Sequence, residues 1–170
     1  LSQYLPELSG VKVYESAGSE VGKPTLVKPT RMMTIRDLLR HTSGLATGGD
    51  GPVGRLYNEA NVREASLSLF VTRLGKVPLM YHPGTRWFYG PSTDVLGRVV
   101  EVVSGKTLDV FFRERIFAPL DMRDSGFVVP SEKLHRLATN YGPRPGGGLR
   151  VIDDPATSKY RSMPLFLSGG

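Results

Sequence analysis

The stretch RWFYGPSTDVLGRVVEVVSG, residues 86–105, holds the clearest helix signal in the chain and its best candidate for chemistry. Ser92 or Thr93 can cap a helix here, Asp94 suits the positive end of its dipole, and Gly105 suits its close. Val95, Leu96, Val99, Val100, Val102 and Val103 supply a broad apolar face. So many β-branched residues would also suit a strand, but the length, the cap and the terminal glycine favour helix. Tyr89 stands just ahead of that helix start. A phenol ionises near pH 10, so to act as a base at neutral pH it needs a stabilising positive field, and a helix N-terminus is one source. Packing is the competing role for an aromatic residue before a helix, and Trp87 and Phe88 read that way.

A second helix is expected from Thr107 through Leu108, Phe111, Phe112 and Ile116, broken at Pro119. Its tight link to the first makes a helical pair. Upstream, TIRDLLRH (34–41) pairs Thr34 with Asp37 in the spacing of a capping box, which predicts a short helix. HTSGLATGGDGPVG (41–54) is dense in glycine and reads as loop. Helical spacing of Val62, Ala65, Leu69 and Leu74 predicts a helix over about 61–74, closed by Gly75. KVPLMYHPGTRW (76–87) is extended and turning, because Pro78 and Pro83 bias their predecessors away from helix. VKVYES (11–16) and PTLVKP (24–29) read as a small hairpin around a turn at Gly18 to Gly22. Beyond the helical pair, DMRDSGFVVP (121–130) reads as a turn and short strand, SEKLHRLATNY (131–141) as a turn or two of helix, and GPRPGGGLR (142–150) as exposed loop.

Composition bounds the alternatives. The 170 residues, 39% hydrophobic, are one domain's worth of chain or part of a larger one. The net charge of +6 is spread singly from Lys12 to Arg161, which is a solvated surface and not a nucleic-acid stripe. Cysteine is absent, and His41, His82 and His135 lack the spacing of metal ligands, so neither a thiolate nor a histidine metal site is expected. No stretch approaches the ~20 apolar residues of a membrane span. The opening LSQYLPELSG and the closing LFLSGG read as cut ends of a longer chain.

A nucleophilic serine needs a base in reach and donors for an oxyanion. The G-x-S-x-G elbow does not occur. In HTSGL, His41 and Ser43 lie too close in sequence to face each other as a catalytic pair, and their better reading is backbone hydrogen bonding at a helix end, with Gly44 in a left-handed turn. One S-x-x-K occurs, Ser9 to Lys12, but Gly10 and the alternating VKVY argue against the helix that would align the two side chains.

Three stretches carry a family resemblance: MTIRDLLRHTSGL (33–45), HPGTRWFYGPSTDVLGRVVEVVSGKTLDVFFRERIFAPLDMRDSGF (82–127) and the closing LSGG. Together they resemble the serine β-lactamase-related family of class C β-lactamases, esterases of the same fold and penicillin-binding-protein relatives, with the esterase-type members most alike. The resemblance implies a mainly α fold with short β strands, the helical subdomain of the β-lactamase/transpeptidase-like fold, with residues 1–170 forming a partial domain without an internal boundary. It implies a serine hydrolase with an acyl-enzyme mechanism, acting on a small-molecule ester, amide or β-lactam, without cofactor, metal or nucleic-acid partner. By the resemblance Tyr89 is the proton-handling tyrosine. The family serine and lysine of S-x-x-K are expected before Leu1 and the closing pocket strand beyond Gly170, so this chain alone is expected to be inactive. Pro91 stands where a Y-x-N motif has its amide, which favours an ester over a β-lactam substrate. The alternative is a non-catalytic helical binding or scaffold module, or a pseudoenzyme in which Tyr89 only packs.

Overall fold

The computed structural model describes residues 1–15, 25–63, 66–164 and 166–167. The chain forms two compact units, one of Leu1–Phe111 with Phe166–Gly170, the other of Phe112–Leu165. Helix dominates the first, and each unit contains a two-stranded sheet.

In the first unit, β1 (Val13–Glu15) pairs antiparallel with β2 (Thr25–Val27), Val13 opposite Val27, as the hairpin reading expects. The turn expected at Gly18 to Gly22 lies outside the described residues. On its other side β1 takes Leu79 as a parallel partner, with Tyr14 N–H donating to Leu79 O and Leu79 N–H to Lys12 O, both at 2.8 Å. The prolines on either side keep that segment extended, leaving its backbone groups free to pair.

Helix α1 (Ile35–Leu39) starts at the expected capping box: Asp37 N–H donates to the Thr34 hydroxyl, and the Asp37 carboxylate accepts from Thr34 N–H. Five residues are too few to hold a helix by themselves, and Arg31 adds two charge-assisted hydrogen bonds of 2.7 Å to the Asp37 carboxylate. That guanidinium holds the Asp37 carboxyl well below the usual carboxylate range, against the opposing effect of burial. Helix α2 (Pro52–Glu59) begins inside the glycine-rich stretch expected to be loop throughout. Pro52 at its first position needs no N–H partner and already has helical φ. Helix α3 (Leu67–Leu74) is shorter than the 61–74 reading, because Ser66 caps it by accepting from Leu69 N–H.

Helix α4 (Ser92–Ser104) closes on Gly105 in the left-handed conformation, as expected. Its N-cap, however, is Pro91, without a side-chain capping bond. α4 packs against α1 and α3. Leu38, Phe70, Val71, Leu74 and Val95 are fully buried in the resulting core. At Gly97 a Cβ would come within 3.0 Å of Leu108 and 3.3 Å of Leu67, so the missing side chain is what lets α4 approach so closely. Val102 and Val103 lie exposed, which narrows the expected apolar face to its N-terminal half.

Helix α5 (Leu108–Phe112) is followed by a π-helical turn, Arg113–Phe117. Ala118 N–H reaches back five residues to Arg113 O, and Pro119, with no N–H to donate, ends the run as expected. In the second unit Phe112 packs with Phe117 and Phe127 at centroid distances of 5.8 and 6.1 Å. A 3-10 turn, Ser131–Arg136, stands where a helical turn is expected. Its Arg136 and Lys133 both bind the Asp124 carboxylate, bringing that group down to about 2. The strand expected in 121–130 does not form. The expected loop instead contains a hairpin, β3 (Asn140–Pro143) with β4 (Leu149–Asp153), whose turn uses Gly146, Gly147 and Gly148 at positive φ.

Candidate functional site

Residues 86–89 belong to no helix or strand. Phe88 turns inward onto Tyr81 at a centroid distance of 5.7 Å, while Trp87 and Tyr89 stay exposed. Tyr89 thus presents its phenol at the surface of the first unit, three residues ahead of the first residue of α4.

The segment around Tyr89 lies on the HTSGL segment, and the two are joined at several points. Phe88 N–H donates to His41 O at 2.8 Å, and Gly84 N–H to Thr42 O at 2.7 Å. The Ser43 and Ser92 hydroxyls, both buried, share a hydrogen bond of 2.8 Å, and Ser43 Oγ also accepts from Leu45 N–H at 3.3 Å. At Gly90 a Cβ would stand 3.1 Å from the Thr47 methyl group, so glycine is what allows this close approach. Met80 N–H donates to Gly44 O at 2.8 Å, which joins the loop to the segment that pairs with β1. Gly44 has φ +78°, and a Cβ there would collide with the Tyr81 carbonyl. Two constraints therefore demand glycine at that position.

Ser43 is thereby placed as a structural hydroxyl, and its partner Ser92 bonds across to it instead of capping α4. The Ser9 hydroxyl donates to Pro6 O at 2.7 Å from the end of a 3-10 turn, and Lys12 precedes β1, so the S-x-x-K match does not lie on a helix. His82 Nδ1 accepts from Thr30 N–H, and His135 lies in the second unit. Among the described residues no group of three or more His, Asp or Glu could hold a metal ion, and no helix is long and apolar enough to cross a membrane.

His41, expected only to bond backbone at the helix end, also makes a ring contact. Its ring lies against Tyr89, centroids 5.0 Å apart and planes 30° from parallel, with Trp87 edge-on at 6.3 Å. The start of α4 is fixed from the other side by Arg63, which pairs with the buried Asp94 carboxylate at 3.4 Å. Arg63 also hydrogen-bonds Tyr57, although burial is the larger effect and pushes that phenol up.

A fold of packed helices with small sheets, and an exposed tyrosine on a glycine-dependent bed before a helix, fit the serine β-lactamase-related class. The chain belongs to the Beta-lactamase family, whose description matches residues 1–165. It is 34% identical to a lovastatin esterase of Penicillium rubens over 88% of this chain and 38% of that protein. It is 36% identical to esterase EstB of Burkholderia gladioli over 65% of this chain and 29% of that protein. The solved structure of simvastatin synthase (LovD) from Aspergillus terreus matches all of this chain and 42% of its own length, with a TM-score of 0.77 and 29% identity. The chain thus spans well under half the length of these relatives.

Proposed function

We propose that residues 1–170 are a partial β-lactamase-like domain, its helical portion, from a serine hydrolase of the esterase type, and that Tyr89 moves protons in its acyl-enzyme mechanism. The nucleophilic serine and its lysine would come from the rest of a longer protein. As phenolate, Tyr89 takes the serine proton while the serine oxygen attacks the substrate carbonyl. As phenol, it returns that proton to the departing alkoxide. A water, or a second alcohol in an acyl transfer, then attacks the acyl-serine, with Tyr89 again accepting the proton and handing it to the departing serine oxygen, which restores both groups. The relatives named as a lovastatin esterase and a simvastatin synthase support a small-molecule ester as substrate. Pro91, buried at the N-cap of α4, offers no side-chain donor and favours an ester over a β-lactam.

One observation carries this reading: Tyr89 is exposed while the chain on both sides of it is fastened to the HTSGL segment, through the Phe88 N–H before it and the Ser92 hydroxyl after it. The exposed phenol is open to a substrate while its chain is held in place. In the full-length protein, Tyr89→Phe should lower kcat/KM for a nitrophenyl ester by ~10²–10⁴, with the fold unchanged by circular dichroism. The chain of residues 1–170 alone should give no turnover above buffer. Full activity in Tyr89→Phe would overturn the proton-handling role of Tyr89, and no turnover by the wild-type full-length protein would leave the pseudoenzyme or scaffold reading in place.

A further inference from the structure

His41 closes α1 in an unusual way. Thr42 N–H bonds back to Asp37 O at 2.8 Å and His41 N–H to Leu38 O at 3.2 Å, the paired bonds of a Schellman close, with His41 at φ +53° in the left-handed position. That position ordinarily belongs to glycine, sometimes to asparagine, because a Cβ is strained there. The imidazole does not relieve the strain locally, since its Nδ1 is buried without a hydrogen-bond partner among the described residues. An unfavourable backbone angle and an unpartnered buried nitrogen persist only where something else holds them, and such strain gathers at functional sites. What the ring does lie against is Tyr89, with centroids 5.0 Å apart and planes tilted by 30°, and Trp87 is edge-on to it. The backbone is fastened at the same place, through Phe88 N–H to His41 O.

We propose that His41 is a positioning residue for Tyr89: its ring is the rigid wall that fixes the angle at which the phenol meets the reacting serine. The inference rests on the proton-handling role of Tyr89. The phenol is exposed, and packing against the half-buried His41 ring removes freedom the exposed side chain would otherwise keep. A proton-transfer group misplaced by about 1 Å can lose ~100-fold in rate.

The two uses of residue 41, backbone close and aromatic wall, separate by substitution in the full-length protein. His41→Asn and His41→Gly suit the left-handed backbone better than histidine but lack a stacking ring. They should melt no lower than wild type, yet lose ~10- to 100-fold in kcat for a nitrophenyl ester, with KM changed less than about twofold. His41→Phe keeps a flat ring and should stay within about threefold of wild-type kcat, even where the strained backbone lowers its melting temperature. In a Tyr89→Phe background, His41→Asn should have no further effect. Wild-type kcat in His41→Asn, or its loss undiminished in the Tyr89→Phe background, overturns the positioning role and leaves the Tyr89 role standing. Full activity in Tyr89→Phe itself overturns both.

Discussion

Replacing Gly44 by alanine tests whether the HTSGL segment is the bed of the site. Two costs add. An L-residue at φ +78° is strained by about 1–2 kcal/mol. The new Cβ also collides with the Tyr81 carbonyl, a backbone atom that can retreat only by disturbing the 2.8 Å bond from Met80 N–H to Gly44 O. Overpacking of this kind costs roughly 1–3 kcal/mol, and a loosened hydrogen bond about 1 kcal/mol more. Together these come to roughly 3–6 kcal/mol. Gly105 supplies the control: it is also left-handed, at φ +68°, but a Cβ there meets nothing within 4 Å. Gly105→Ala should therefore show the backbone cost alone, about 1–2 kcal/mol. Urea unfolding of both variants of the full-length protein, followed by circular dichroism, measures the difference. Equal losses in the two would refute the close packing of Gly44 on Tyr81.

Two further outcomes follow from the same region. The folded Asp37 carboxyl lies below its unfolded value, so its contribution is full at neutral pH, begins to fade as pH falls past about 5 and shrinks steadily below 4; Asp37→Asn should flatten that acid limb in melting curves taken from pH 7 to 3. Ser43→Ala and Ser92→Ala each strand a buried hydroxyl and should each cost about 1–3 kcal/mol; the double variant should cost clearly less than the sum, which a double-mutant cycle in urea reads out.

Local signals were legible where the chain itself satisfies the physics. The Thr34 and Asp37 capping box, the left-handed Gly105 and the break at Pro119 are written in nearest-neighbour chemistry, and the structure has all three. Pro52 was an available signal for α2, but the five glycines between His41 and Gly54 outweighed it. Three consecutive glycines hid a hairpin, because left-handed turn residues and disordered loop look alike in sequence. Ser92 reads as a cap from its own neighbours and becomes a cross-link only once Ser43, 49 positions away, is brought beside it. The same holds at the site. Tyr89 was visible by position and resemblance, whereas His41, 48 residues earlier, shows its contact only when the two segments are laid together. A histidine at a helix close, where glycine is usual, is the one local hint.

If Tyr89 moves the serine proton, its loss must slow the acylation step. Rapid mixing of the full-length protein with a nitrophenyl ester should give a burst of nitrophenolate in wild type. In folded Tyr89→Phe this burst should slow by ~10²–10⁴. A burst of unchanged rate in that variant would contradict it.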